Sequence, residues 1–329
     1  MDTTLDLSRW RETPLGVMHR RWAMVSIGLR QLLRTRFFRL MLLVGWMAGF
    51  AMTVFGFLFT QSIATGGWLE SFAADMGPRA EAVASAFTAV VLLYPDICIG
   101  GLFTMLFWAH SLLGLMLSLI ALSSIVPSLI TRDRASNALS IYLSRPLTSF
   151  DYLVGKLGII VGILVLLWTG PLLFSWTLSM LFAPGSEFFT YSLEPLARAC
   201  LFNLIALITL ASVALGVSSI SRSQRTTIFL WIGVWVLAFS VAYFPTTPPW
   251  LSALSFHYDL NTLRGSIFQL EQVLADAASS LPLMNRGIND ELSEMAAEAE
   301  VEHLTSALAG LAALVAGSLF LLFRRLRPE

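Results

Sequence analysis

The chain has 329 residues, of which 56% are hydrophobic and only 13% charged, and its mean hydropathy is +0.74. A soluble domain carries about 25% charged residues, so this composition excludes an ordinary water-soluble enzyme. The 21 basic and 21 acidic side chains cancel; net charge names no partner, and no nucleic acid is expected.

The first 38 residues are basic. Within them, apolar Val17, Val25, Leu29, Leu32 and Leu33 alternate with arginines. That pattern predicts an amphipathic helix at about 17–38, lying on the inner leaflet against anionic lipid. Six apolar runs follow, each about as long as or longer than the roughly 20 residues that a bilayer core requires. They fall at about 40–62, 97–130, 152–182, 197–220, 227–244 and 304–323. Because no water is available to the backbone in lipid, such runs must be helices. The first run begins too late, after too long a basic segment, for a cleaved leader, and it reads as a retained span. The second is longer than a membrane is thick and should project beyond it.

Charge orients the spans. Seventeen of the basic residues fall in the N-terminal segment, the second-to-third and fourth-to-fifth connections and the tail; only Arg79, Arg198, Arg264 and Arg286 fall on the other side. The excess marks the cytoplasmic face and places both termini there, as in a multi-pass protein of a bacterial-type inner membrane. The fold expected is an all-α integral membrane protein with six transmembrane helices. It comprises a cytoplasmic segment 1–38, five spans over 39–244 with a cytoplasmic helix at about 132–148, an outer loop 245–303, and a sixth span with a basic tail over 304–329. In the outer loop, Leu263, Ile267, Leu270, Val273 and Leu281 keep helical spacing. A second, acidic helix is expected from about residue 289, through Asp290, Glu291, Glu294, Glu298, Glu300 and Glu302.

Sequence signatures of chemistry are few. No GxxxxGK[ST] loop occurs, so the chain has no phosphate loop of its own, and no HExxH or GxSxG is present. Catalytic, cofactor and metal residues are therefore expected to be none. Cys98 and Cys200 both lie near outer boundaries, where a disulfide is conceivable, but two small apolar helix residues are the simpler reading. His110 lies about 18 Å along the second run. An ionisable residue at that depth is a functional candidate; the simpler reading is a neutral histidine bonded at a helix contact. No acidic residue lies within any span, which argues against proton- or ion-coupled transport. Gly45–Gly49 and Gly158–Gly162 have the spacing that lets helices approach closely, and so dimerise.

The connection from Arg132 to Lys156 is the most informative stretch. It opens with Arg132-Asp133-Arg134, continues through Asn137, Ala138 and Leu139 to Tyr142, Leu143, Ser144, Arg145 and Pro146, and closes with Tyr152 to Gly155-Lys156. This resembles the ABC-2 family of ABC transporter permeases. In that family an acidic-Arg pair, a Gly-Thr-Leu, a Leu-Ser-x-Pro turn and a Gly-Lys mark the second-to-third connection. Asp133 stands where the family usually has Glu, and Asn137-Ala138 replace its Gly-Thr. A second match, Leu254-Ser255-Phe256-His257 followed by Leu263-Arg264-Gly265-Ser266-Ile267, resembles the subgroup tied to gliding motility and to copper-site maturation of nitrous-oxide reductase, with Phe256 in place of its proline.

The resemblance implies a permease subunit without ATP-binding residues of its own, ATP and Mg being held by a separate ATPase subunit. It implies a coupling helix at about 134–144, offering Leu139, Tyr142 and Leu143 to that subunit and ended by Pro146. It also implies a second copy or a paralogue as membrane partner, and export of a lipid-like or amphipathic substrate. An alternative is a mechanical role, in which ATP-driven motion is passed to an extracytoplasmic protein.

Overall fold

A computed structural model describes residues 16–64, 67–136, 148–243, 255–280 and 304–326. Among the described residues every regular element is helical. In chain order they are α1 (Val17–Leu33), α2 (Arg36–Ile63), α3 (Trp68–Met76), α4 (Pro78–Leu93), α5 (Gly101–Leu129), α6 (Thr131–Ala135), α7 (Ser149–Leu164), α8 (Gly170–Leu181), α9 (Ser186–Ile220), α10 (Gln224–Tyr243), α11 (Phe256–Phe268), α12 (Leu270–Ser280) and α13 (Leu304–Leu326). Single π-helical turns at Asp96–Gly100 and Val165–Thr169 join α5 to what precedes it and α7 to α8.

Among the described residues five helices are long and apolar enough to cross a membrane: Arg36–Ile63, Asp96–Asp133, Ser149–Leu181, Ser186–Ile220 and Leu304–Arg324. The chain is thus built as a multi-pass membrane protein. The remaining expected run is helix α10. It buries Trp231 on Ser123 of α5, Nε1 to Oγ at 2.9 Å, and turns Phe229 and Leu237 outward. Helices α5 and α9 form the centre, and their apolar stretches are the most buried of the five. Where α5, α9 and α10 meet at the arginine-rich end, Thr131 Oγ1 donates to the Ser218 carbonyl at 2.9 Å and lies 3.0 Å from Thr227 Oγ1.

Helix α9 is longer than the run at 197–220. It starts at Ser186 and continues through Pro195 because Glu187, Glu194 and Arg198 interrupt the apolar pattern without breaking the helix. The α3–α4 pair, turned at Gly77 with φ 103°, lies in the connection between the first two expected runs.

Both close-approach glycine pairs are used within the chain. A Cβ at Gly158 would sit 2.5 Å from Val25, and one at Gly162 2.8 Å from Leu29. Helix α1 therefore lies in a groove of α7, with Met18 and Trp22 turned outward. A Cβ at Gly45 would sit 2.6 Å from the Leu167 carbonyl oxygen, and one at Gly49 2.8 Å from Pro171. Cys98 and Cys200 are free thiols.

The periodic stretch after residue 263 is two helices rather than one. Gln269 adopts φ 50°, ψ 43° and ends α11, donating its N–H to the Gly265 carbonyl at 2.8 Å. Arg198 Nη1 donates to the Phe268 carbonyl at 3.2 Å and fixes the break. A left-handed conformation costs an L-residue roughly 1–2 kcal/mol that glycine does not incur. Gln269→Gly is therefore expected to leave the fold intact and raise the unfolding free energy by up to about 1 kcal/mol, read as a higher thermal midpoint. A lower midpoint would show that the glutamine side chain itself holds the corner.

Candidate functional site

The residues that flank the motif-bearing connection converge on two ion pairs. Helix α7 opens with a capping box. The Asp151 N–H donates to Thr148 Oγ1 at 3.1 Å, while the Thr148 N–H and hydroxyl donate to Asp151 Oδ2 at 3.2 and 2.8 Å. This box satisfies amide donors that a helix start would otherwise leave bare. The other carboxylate oxygen, Oδ1, accepts from Arg21 Nε at 2.7 Å and also pairs with Nη2 of the same guanidinium. Asp151 thus ties the start of α7 to α1, with the Arg21 guanidinium also 5.5 Å over the Phe150 ring.

One turn away, Asp133 of α6 receives two groups from α7 on a single oxygen. Tyr152 Oη donates to Asp133 Oδ2 at 2.7 Å, and Lys156 Nζ pairs with the same atom at 2.7 Å. The Lys156 ammonium also lies 5.4 Å over the Tyr152 ring. The Asp133 and Lys156 side chains are 16% and 18% exposed, so water screens this pair less than it would a surface bridge. Within the connection Asp133 lies before 137–147 and Tyr152 and Lys156 lie after it, so these contacts clamp the two flanks of that segment together. Arg132 is exposed, and of Arg134 only the backbone, in α6, is described. Asn137, Leu139, Tyr142, Leu143, Arg145 and Pro146 lie outside the described residues.

His110 is buried in the bundle and bonded. Leu166 stands five residues before Pro171 and Leu167 stands four before it. The carbonyls that π and α winding would pair with residue 171 therefore meet a proline with no N–H. Trp46 Nε1 donates to the Leu166 carbonyl at 3.1 Å, and Gly45 lies against that of Leu167. One residue on, His110 Nε2 lies 3.1 Å from the Trp168 carbonyl. A carbonyl accepts only, which assigns the proton of a neutral imidazole to Nε2. His110 thus fastens α5 to the irregular turn between α7 and α8. His110→Ala would orphan the Trp168 carbonyl in the interior and cost roughly 1–3 kcal/mol. A fall in thermal midpoint and in activity together is expected; lost activity at unchanged stability would give His110 a direct role.

The third group sits on α11, which is buried around most of its circumference: Phe256, His257, Asp259, Leu260, Leu263 and Phe268 are all inside. Ser255, its N-cap, accepts from the Tyr258 N–H at 3.1 Å and donates to the Ala238 carbonyl of α10 at 2.6 Å. Arg264 lies 4.7 Å over the ring of Trp108. Trp108 is 12 residues past Asp96, about 18 Å along that helix. Helix α12 then climbs α5 toward Gly101, where Val273 packs. Helix α11 therefore reaches into the bundle, Arg264 meeting the Asp96–Asp133 helix about a third of the way along its length. His257 Nε2 accepts from Asn261 Nδ2 at 3.1 Å, and its ring stacks on Phe239 at 4.1 Å. Burial, aided by the Arg264 charge, holds its pKa below the usual imidazole range. Burial likewise lowers the Arg264 pKa, opposed by Glu271. Gly265 has open space at its Cβ position and meets no neighbour closely.

Sequence reading singled out His257, Arg264 and Gly265 but passed over Asp259, which is 1% exposed. Its signal was an acid flanked at i−3, i+1 and i+4 by Phe256, Leu260 and Leu263, a pattern that puts a carboxyl on an apolar face. Among the described residues no group of His, Cys, Asp and Glu side chains forms a metal site.

No protein-family model matches the chain, and no curated protein sequence matches it.

Proposed function

We propose that this chain is the permease subunit of an ATP-driven ABC-2 type transporter, with α10 completing six spans and the arginine-rich end facing the cytoplasm. The observation that carries the reading is the clamp. Asp133, Tyr152 and Lys156 belong to the stretch that resembles the family's coupling connection, and they hold its two flanks at one point of the bundle. Closure of a separate ATPase subunit would push on 137–147. The Asp133–Lys156 pair would pass that push to α7, and the Arg21–Asp151 pair would carry α1 with it. Beyond α7, the π-helical turn and Pro171 form a joint through which α8 can bend relative to α7. The substrate class is a lipid-like or amphipathic molecule, and a second copy or a paralogue completes the pore.

A mechanical role on an extracytoplasmic partner is the second reading, favoured by the acidic run Asp290 to Glu302 between α12 and α13. Deleting 281–301 separates the two: transport survives in part, whereas a mechanical link through this run fails. The coupling role is tested by placing a photo-crosslinking amino acid at Leu139 in native membranes. The expected adduct is with a nucleotide-binding protein, and it should vanish when Leu143 becomes glutamate. Crosslinks to lipid alone would refute the coupling assignment.

A further inference from the structure

Asp259 is a carboxyl group inside the bundle with no ion-pair partner among the described residues. It is 1% exposed, and its Oδ2 atom is buried without a hydrogen-bond partner. Among the described residues it forms no ion pair within 4.0 Å. An ionised carboxylate in such a place is costly, and the group escapes the cost by taking up a proton. Its helix, α11, packs on α13, α9, α10 and, more lightly, α5.

None of the described charged groups of those elements acts on Asp259. On α13 the one described is Arg324, at the opposite end of the helix from Leu304. On α9, Arg198 is engaged with Glu194 at 2.6 Å, and Glu187 lies in the first turn. Helix α10 has Arg225 at its start, and α5 has His110, bonded to the Trp168 carbonyl. On α11 itself, His257 and Arg264 lie on the face opposite Asp259, at helical angles near 0° and −20° against 200°. Tyr258 adjoins it in sequence, and Glu271 and Asp276 belong to α12.

We infer that Asp259 is a proton-binding site, and that its neutral form keeps α11 seated in the bundle. Burial alone raises this carboxyl from the ordinary 3.8 to about 7, with no neighbouring charge contributing. The seated helix therefore binds more protons than a released one. Its seating is firmest below about pH 4, weakens as pH rises from there to about 7, and is level above that. In that window each pH unit shifts the seated-to-released ratio about tenfold. The inference does not depend on the ATPase and stands or falls apart from the permease reading. It places in the bundle the carboxylate that no spanning run supplies.

The test uses the full chain in lipid nanodiscs. Hydrogen exchange of residues 256–268, corrected for the chemical exchange rate, should show opening that rises about tenfold per pH unit between about 5 and 7 and then levels. Asp259→Asn, neutral and nearly isosteric, should show no such slope. Infrared titration of the wild type should lose a protonated-carboxyl stretch as pH passes about 7; that band should be absent from Asp259→Asn and displaced in Asp259→Glu, which also serves if the asparagine variant does not fold. A wild-type protection independent of pH, an unchanged slope in Asp259→Asn, or a band indifferent to both substitutions would overturn the inference.

Discussion

Asp133→Ala lowers the unfolding free energy by roughly 2–3 kcal/mol, between the small loss at an exposed ion pair and the 3–5 kcal/mol loss at a buried one. The size follows from what is left behind. Lys156 Nζ and Tyr152 Oη both end on Asp133 Oδ2, so removing one carboxylate strands an ammonium that is mostly out of water and takes away the acceptor of the 2.7 Å Tyr152 bond. Lys156→Ala should cost less, because Asp133 keeps the Tyr152 bond. The informative variant is the exchange Asp133→Lys with Lys156→Asp. If the clamp is an electrostatic link between α6 and α7, the double variant recovers stability that neither single change retains, and a double-mutant cycle reads the coupling directly. Additive losses would mean that the two residues act separately.

Trp168→Ala is the other large effect, a loss of roughly 3–5 kcal/mol. Trp168 is fully buried in the turn joining α7 to α8. Its indole occupies the space above Gly114 of α5, where any Cβ would collide with the ring, and it meets Phe202 of α9 edge-on at 5.9 Å. Three helices thus close on one side chain. In lipid, helix association rests on packing rather than on escape from water, so the void is not offset by solvent. A bulky residue at Gly114 is destabilising in the wild type, and Gly114→Leu should be partly rescued by Trp168→Ala. Thermal unfolding in detergent of the four proteins of that cycle checks both statements.

These two sites show how far the residues alone could be read. The long apolar runs announced α2, α5, α7–α8 and α13 because lipid leaves a backbone few choices. They understated α9, since Glu187, Glu194 and Arg198 look like a loop when read as hydropathy and like a helix when the backbone is followed. The α3–α4 pair was silent, mixing charge and apolar residues with no clean period.

The glycine pairs declared close packing without naming the neighbour; the structure supplies α1 for one and the Pro171 joint for the other. His110 was legible as a polar group at mid-depth, but its partner is a backbone carbonyl next to those that Pro171 leaves bare, and backbone acceptors carry no sequence signature. Asp133 and Lys156 were visible as motif residues 23 apart, yet nothing in the motif said that they touch. The corner at Gln269 and the burial of Asp259 are decided by tertiary contacts, with Arg198 in one case and the surrounding helices in the other.

If the proposed coupling holds, a separate ATPase subunit drives this chain. Tagged protein recovered from its native membrane in mild detergent, with the bound subunits identified by mass spectrometry, tests it most directly. The expected result is a stoichiometric nucleotide-binding subunit that is lost when Leu139 and Leu143 are made charged and retained when Asp259 is changed to asparagine. Recovery of the intact chain with no ATPase, under conditions that preserve known membrane complexes, would refute the proposed coupling.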